Sequence, residues 1–333
     1  MKKFINAPAA FVDEMLEGIL AAHPRQLTYI AGDLRCITRK TLKDKVALMT
    51  GGGSGHLPLF MGYVGEGLLD GCAVGGVFQS PGSEQILEVT KAINAGKGVL
   101  YIYGNYTGDI INFEMAAELA DMEGIKTFHV LGADDAASAP KGEECKRRGV
   151  AGIFYVFKTA GAYAEEGASL EEVKRVAEKA SANVRTMGVA LSACIIPEAG
   201  RASFSIGEDE MELGMGIHGE PGIARTRLEP ADAVAAKMMD KILADMPLAK
   251  GDEVSVLVNG LGATPKEELY IIHRAADKIL KELGVKIFQV YVGEFATSME
   301  MAGFSLSVCK LDEELKRLLS RPAYTPFFEQ TQL

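Results

Sequence analysis

Short apolar runs alternate with amphipathic segments along most of the chain, and this alternation limits the possible folds more than any other feature. Val46–Thr50 and Gly98–Tyr103 are continuous apolar runs of strand length, typical of strands that are buried on both faces. The segments Gln85–Ala95 and Ile110–Met122 have the apolar spacing of helices. Strands and helices that alternate in this way predict an α/β fold with mostly parallel or mixed sheets covered by helices.

The second half of the chain repeats this pattern after a long predicted helix, Ser169–Met187, for which Ser169 is the expected N-cap. With 333 residues, the chain is long enough for two domains. We therefore predict an N-terminal α/β domain at residues 1–184 and a C-terminal α/β domain at residues 185–333. The other predicted elements are helices at Pro8–Ala22, Pro230–Ala244, Lys266–Leu283 and Asp312–Leu319 and strands at Lys126–Leu131, Glu253–Asn259, Lys286–Val292 and Phe304–Leu311.

Glycine clusters follow three of the predicted strands, at residues 51–56, 104–109 and 260–265. Ligands of open α/β sheets bind beyond the carboxyl ends of the strands, where glycine lets the backbone approach a ligand closely. The Walker, dinucleotide-binding and esterase patterns are all missing, the last two because His56 or Pro58 stands where a glycine is required. The loops therefore predict a ligand site without a nucleotide signature.

Composition and charge argue against several classes of protein. The chain carries 35 basic and 45 acidic residues and no tryptophan, which argues against nucleic-acid binding through phosphate neutralisation. No run of about 18 apolar residues is present for a membrane span, and acidic residues from Asp13 onward interrupt any signal peptide. The five cysteines form no CxxC pair, so we expect a cytoplasmic protein without a disulfide scaffold or a metal knuckle.

Two of the five histidines are candidate functional residues. His56 and His218 each lie in a glycine-rich loop, where a side chain is poorly covered by its neighbours and can face a ligand. The alternative is a loop histidine that binds backbone carbonyls. His23, His129 and His273 lie at a helix end, within a predicted strand and on a helix, and we interpret them as structural or surface residues.

Acidic residues offer one further candidate. Asp109 closes the second glycine cluster just before a helix, so it is either an N-cap or, if the loops bring it to His56, half of an acid/base pair. We interpret the acidic cluster of the second half as a solvated loop and expect no metal site in this chain. That cluster comprises Glu208, Asp209, Glu210 and Glu212.

Four long segments resemble the DhaK family, the dihydroxyacetone-binding subunits of dihydroxyacetone kinases. They occur in the order found in the family and span most of the chain. The segments are VALMTGGGSGHLPLFMGYVGEGLLDG (46–71), NYTGDIINFEMAAE (105–118), ELGMGIHGEPGI (212–223) and NGLGATPKEELY (259–270).

The resemblance implies a covalent mechanism of substrate binding. His218 is expected to attack the ketone carbonyl and hold the substrate as a hemiaminal, since neutral imidazole is a competent nucleophile near pH 7. Asp109 is expected to take the proton from the attacking hydroxyl, with His56 as its acid/base partner. The substrate-binding residues implied by the family are Gly52, Gly53, Ser54, Gly55, His56, Gly104, Asp109 and His218.

The resemblance also implies partners. In this family a separate L subunit carries ADP or ATP with magnesium, so we expect no cofactor on this chain. In many bacteria an M subunit of the phosphotransferase system recharges the nucleotide, whereas other relatives use ATP directly. Family members form homodimers of the ketose-binding subunit.

The sequence departs from the family pattern at the site. Gly104 replaces a lysine that familiar members carry before NYTGD, and His56-Leu57-Pro58 followed by Phe60 replaces G-H-E-P. A four-carbon ketose such as erythrulose is therefore an alternative substrate to dihydroxyacetone. A ketose-sensing transcriptional co-activator is the alternative from a different functional class.

Overall fold

The computed structural model describes residues 2–30 and 32–332. Six strands of the first half form one sheet, in the order β1-β2-β4-β3-β5-β6. The strands β3 to β6 run parallel to one another, and β2 is antiparallel to both of its neighbours, β1 and β4. The elements of this half are α1 (Phe11–Ala22), β1 (Leu27–Ile30), β2 (Asp33–Arg39), β3 (Ala47–Gly52), β4 (Gly71–Val74), α2 (Ser83–Ile93), β5 (Val99–Gly104), α3 (Thr107–Met122), β6 (Thr127–Gly132), α4 (Ile153–Glu165) and α5 (Leu170–Ala182).

The second half forms another six-stranded sheet, in the order β11-β10-β7-β14-β12-β13, in which only the β12–β13 pair is parallel. Its elements are β7 (Val184–Ala190), β8 (Ile195–Ile196), β9 (Arg201–Ala202), β10 (Glu210–Leu213), β11 (Ala224–Arg227), α6 (Ala231–Asp245), β12 (Glu253–Gly260), α7 (Lys266–Glu282), β13 (Lys286–Gly293), β14 (Gly303–Leu311), α8 (Glu313–Leu319), β15 (Ala323–Tyr324) and β16 (Glu329–Gln330). The α/β class with mixed sheets is confirmed. The division at residues 184 and 185 stays a prediction.

The predicted helix Ser169–Met187 is too long. Ser169 is the N-cap, since its side chain accepts a hydrogen bond from the backbone N–H of Glu172, but the helix ends at Ala182. The next residues belong to β7, which pairs with β14 over seven positions. Those ladder hydrogen bonds and the burial of Val184 and Met187 outweigh the local helical pattern.

The helix α4 joins the two sheets, and the sequence pattern does not predict it. Phe154 packs against Tyr63 of the first half and Tyr291 of the second, with ring centroids 5.5 and 5.1 Å apart. The Tyr155 hydroxyl lies 2.9 Å from the hydroxyl of Ser255 on β12. Almost every side chain of α4 is buried, so the helix lacks the exposed polar face of a surface helix.

The acidic cluster is a solvated loop only in its first half, since Glu208 and Asp209 are exposed in a turn. Glu210 and Glu212 lie on β10, and the Glu212 side chain is buried. Its carboxylate accepts hydrogen bonds from Arg225 at 2.7 Å and from the Gly222 backbone at 2.9 Å. In the described parts of the chain, no helix is long and apolar enough to cross a membrane.

Candidate functional site

The candidate site lies where three neighbouring parallel strands of the first sheet end. β4, β3 and β5 are adjacent, so the segments that follow them share one edge of the sheet. His56 follows β3, Phe78 follows β4, and Asp109 lies in the first turn of α3, which follows β5. The topology therefore brings the first two predicted glycine clusters to one place.

His218 reaches this edge from the second half of the chain. It lies in the loop between β10 and β11, and its ring centroid is 4.6 Å from that of His56, with the ring planes at 76°. The two histidines that the sequence singles out are thus in contact.

Glu220 fixes which nitrogen of His218 is free. One carboxylate oxygen of Glu220 lies 2.9 Å from His218 Nδ1, and the other accepts the backbone N–H of His218 at 2.9 Å. A carboxylate can only accept, so Nδ1 must carry the proton, and in the neutral ring the lone pair is on Nε2. Burial raises the pKa of Glu220, but the hydrogen bond and charge of His218, its own backbone N–H and the charge of Arg148 together lower that pKa to about 2, so the carboxylate is ionised.

His56 is a neutral hydrogen-bond acceptor. Its Nδ1 lies 2.8 Å from the carbonyl oxygen of Thr297, which also can only accept, so the lone pair is on Nε2. Among the residues the structure describes, no group pairs with that buried Nε2. Burial, followed by the nearby His218, lowers the pKa of His56 to about 3. His56 can therefore accept a hydrogen bond from the substrate near neutral pH, but its low pKa makes it a weak proton acceptor and it holds no proton on Nε2 to give.

Aromatic rings enclose the two histidines. Phe78 stacks on His56, with centroids 4.8 Å apart and an interplanar angle of 20°, and its centroid is 5.4 Å from that of His218. Tyr106 meets His218 nearly at right angles at 4.7 Å. These contacts fix the orientation of the His218 ring and make this side of the site apolar.

Asp109 is not the N-cap of α3. Tyr106 occupies that position without a side-chain cap, and Asp109 is the third residue of the helix. Its side chain is buried, and its Oδ1 has no hydrogen-bond partner among the described residues. Burial raises the pKa of Asp109 to about 6, against smaller lowering effects of the Ser80 hydroxyl and of His218. An unpaired buried carboxyl with a pKa near neutrality suits a general base.

The glycines around His56 are needed for close packing. A Cβ on Gly52 would lie 2.3 Å from the ring of Phe60, which has a φ of 68°, a conformation uncommon for a bulky residue. A Cβ on Gly53 would lie 2.6 Å from a backbone oxygen, and one on Gly55 would lie 2.7 Å from Phe78. Larger residues at Gly52 or Gly55 would displace these rings, which form the aromatic wall of the site, and a larger residue at Gly53 would displace backbone.

The backbone polar groups of this loop are paired within the fold, whereas one side-chain hydroxyl is not. The backbone N–H groups of Ser54 and Gly55 donate to the carbonyls of Gly76 and Val77 at 2.9 and 2.7 Å. The Ser54 hydroxyl is buried and lacks a partner within the described residues. Substrate contacts by residues 52–55 stay a prediction.

Gly104 ends β5 at the edge of the site. A Cβ at this position would lie 2.9 Å from two ring carbons of Tyr106, the residue that packs on His218. The Tyr106 ring therefore occupies the space that the first atoms of a longer residue at position 104 would need.

Sequence reasoning missed four residues of the site: Phe78, Ser80, Tyr106 and Glu220. Gly75 and Gly76 follow β4 just as the other clusters follow their strands, so the same rule could have located the segment with Phe78 and Ser80. Glu220 gave no such signal, because its contact depends on the turn of the loop. No group of three or more histidine, cysteine or acidic residues that could hold a metal ion is found in residues 2–30 and 32–332.

Comparison with known proteins identifies the family. The family model for the Dak1 domain matches residues 17–327. The dihydroxyacetone-binding subunit DhaK of the PTS-dependent dihydroxyacetone kinase 2 of Listeria innocua is 47% identical, over 99% of this chain and 99% of its own. The D-erythrulose kinase of Mycolicibacterium smegmatis is 44% identical, over 99% of this chain and 57% of its own.

A solved structure supports the same assignment. The dihydroxyacetone kinase operon co-activator Dha-DhaQ is 34% identical, with a TM-score of 0.89 over 96% of this chain and 98% of that one. The match to the family model and these identities over nearly the whole chain establish that this protein belongs to the Dak1 domain family and is a homologue of the DhaK dihydroxyacetone-binding subunits.

Proposed function

We propose that this chain is the ketose-binding subunit of a kinase, which binds dihydroxyacetone or a close short ketose covalently and presents its hydroxyl for phosphorylation. The observation that carries the proposal is the contact between Glu220 and His218 Nδ1, because it leaves the nucleophilic lone pair on Nε2. Membership of the Dak1 family adds the expected substrate class.

The covalent step follows from this tautomer. The Nε2 lone pair of His218 attacks the carbonyl carbon and the carbonyl π electrons move to oxygen, which takes a proton from solvent. The ring, now bonded to carbon at Nε2, releases its Nδ1 proton to solvent, so that a neutral hemiaminal forms without net gain or loss of a proton. Only a carbonyl compound can form this bond, so the site selects ketoses over polyols such as glycerol. The neutral Nε2 of His56, whose ring lies against that of His218, accepts a hydrogen bond from a substrate hydroxyl.

Phosphoryl transfer needs a base and a partner. Asp109, with its pKa near 6, takes the proton from the terminal hydroxyl as that oxygen attacks the phosphoryl group. The phosphoryl donor is ATP with magnesium on an L-type subunit, either bound as ATP or formed there from tightly bound ADP. In the second case an M-type subunit of the phosphotransferase system is the candidate partner that phosphorylates the ADP. Assembly of this chain as a homodimer and its cytoplasmic location remain predictions.

Reconstitution tests the proposed function. The chain is mixed with the L-type subunit from the same genome and a phosphoryl donor, and dihydroxyacetone, erythrulose and glyceraldehyde are compared as acceptors. We expect phosphorylation of at least one of the two ketoses and none of glycerol, which is the matched acceptor without a carbonyl. Phosphorylation of glycerol at the same rate as the ketoses would contradict covalent binding of the substrate through its carbonyl group.

A ketose-sensing co-activator is the second candidate, and the similarity to Dha-DhaQ favours it. A sensor needs the ketose adduct but no catalytic base, so the buried and unpaired Asp109 supports the kinase instead. Adduct formation without turnover, whichever partner and donor are supplied, would favour the co-activator.

Gly104 gives a prediction about selectivity. In the Gly104→Lys variant the new side chain should displace the Tyr106 ring and narrow the site. We expect kcat/KM for erythrulose to fall about tenfold relative to that for dihydroxyacetone, since pocket contacts to one extra carbon are worth this much. Steady-state kinetics with both ketoses measure the ratio.

The Gly104→Ala variant is the matched control. It adds the atom that meets Tyr106 without adding a charge or the long side chain. A ratio that is unchanged in both variants would show that position 104 does not determine selectivity.

A further inference from the structure

We propose that Arg148 is a positioning residue, which crosses from the first half of the chain to hold Glu220 and thereby His218 in the reactive arrangement. The inference rests on the proposed function and adds a residue to its machinery. Arg148 lies between β6 and α4, and its side chain is only 14% exposed. It does not touch the reacting atoms, so it acts through Glu220.

Arg148 is anchored on both halves of the chain. Its Nε donates to a carboxylate oxygen of Asp135 at 2.9 Å, and its Nη2 lies 2.8 Å from the same oxygen. Nη2 also donates to the carbonyl of Gly214 at 2.9 Å, at the start of the loop that carries His218. A guanidinium held by a buried carboxylate in this way has a fixed direction.

The remaining nitrogen of Arg148 stands beside Glu220. An ideal Cβ on Gly216 would lie 2.6 Å from Arg148 Nη1 and 2.1 Å from Glu220 Oε2. Both groups therefore face the same bare side of Gly216 within about 4.7 Å of each other, close enough for the cation to attract the carboxylate although no hydrogen bond joins them. Arg148 also contributes to the low pKa of Glu220.

The contacts of Glu220 lead to the nucleophilic residue, His218. Glu220 Oε1 meets His218 Nδ1, and Oε2 accepts the His218 backbone N–H. A displaced or rotated carboxylate would release Nδ1 and let the ring adopt the other tautomer, with its proton on Nε2. The cation of Arg148 stabilises the one carboxylate position that prevents this.

The test compares Arg148→Met with Arg148→Lys and a control. The control is Arg185→Met, which removes a different partly buried arginine that pairs with Asp245. In Arg148→Met we expect the dissociation constant for the ketose to rise about 10- to 100-fold, as a small misplacement of a reacting group can cost, with a smaller change in kcat at saturation. Arg148→Lys should recover part of the affinity, and Arg185→Met should bind the ketose like the unmodified protein.

A second measurement does not depend on the ketose. Proton and nitrogen NMR of labelled histidine should show a hydrogen-bonded Nδ1 proton on His218 in the unmodified protein and in Arg185→Met, but its loss in Arg148→Met. If Arg148→Met does not fold, Gly216→Ala replaces it, because the added Cβ must push Glu220 away from Arg148. We expect the same loss of the Nδ1 signal.

The outcomes separate this inference from the proposed function. An unmodified protein that forms no adduct with any ketose contradicts the proposed function, while the NMR signal still tests the role of Arg148. Unchanged ketose affinity and an unchanged Nδ1 proton in Arg148→Met would overturn the inference and leave the proposed function intact. Equal losses in Arg148→Met and Arg185→Met would also overturn it, since they would indicate a merely structural role.

Discussion

The His218→Ala variant is expected to form no ketose adduct and to lose at least about 10³-fold in kcat/KM, because the covalent anchor and its orientation of the substrate are both removed. A ketose labelled with carbon-13 at the carbonyl gives the direct measurement. On binding to the unmodified protein, the carbonyl resonance should be replaced by that of a tetrahedral carbon, and the variant should show only the free ketose.

His56 cannot take over this function in the variant. Its Nε2 is chemically similar, but the ring is fully buried, bound to the Thr297 carbonyl and stacked on Phe78. A carbonyl carbon would have to displace that packing to come within bonding distance of Nε2, whereas a hydroxyl needs only hydrogen-bond distance. The structure therefore supports a division of labour, in which one histidine bonds to the ketose and the other accepts a hydrogen bond.

The His273→Ala variant is the matched control for His218→Ala. His273 lies on α7 of the second half, away from the ends of β3, β4 and β5. This control should retain both the tetrahedral carbon signal and turnover. An intact adduct in His218→Ala would require another nucleophile and would end the assignment of His218.

The sequence predicted which loops lie together at the candidate site better than it predicted the contacts between their side chains. Glycine clusters after apolar strands indicate a strand-end site, and the parallel order of β4, β3 and β5 brings two of the three clusters together. That prediction works because strand direction and glycine preference are local properties. His56 and Asp109 were placed in those segments by the same argument.

The remaining features depend on tertiary contacts that no local pattern encodes. The helix α4 is almost completely buried, so it has no exposed polar face to mark it as a helix, and β7 is a strand because it pairs with β14. Glu220 and Arg148 come near each other across the bare side of Gly216. Asp109 has an unpaired oxygen, rather than acting as an N-cap, because it lies three positions beyond the N-cap residue Tyr106.

The two halves of the chain contribute different parts of the reaction. The first sheet positions Asp109, His56 and the aromatic wall, whereas the second contributes the loop of His218 and Glu220. Adduct formation and proton transfer should therefore be separable by substitution. The Asp109→Asn variant makes that separation testable.

In Asp109→Asn we expect the ketose adduct to persist while turnover falls about 10²- to 10⁴-fold, the usual contribution of a general base. The amide keeps the size of the carboxyl but cannot accept the proton of the attacking hydroxyl. The carbon-13 signal of the adduct and the rate of phosphorylation in the reconstituted system measure the two steps. Asp121→Asn, on the exposed part of the same helix, is the control and should leave both steps unchanged.

The same carboxyl sets a pH dependence with a defined sign. Because burial raises the pKa of Asp109 from 3.8 to about 6, the activity of the unmodified enzyme should increase as the pH rises through 6, and Asp109→Asn should lack this limb of the pH profile.

The folded protein binds the Asp109 proton more tightly than the unfolded chain, so the raised pKa lowers stability as the pH rises from about 4 to about 6. Above that range the ionised carboxyl costs at most about 3 kcal/mol, and Asp109→Asn should unfold at a higher temperature than the unmodified protein at pH 8, with the difference shrinking at pH 4. Full turnover in the variant, or equal stability at pH 8 together with a retained limb near pH 6, would remove Asp109 from the proton transfer.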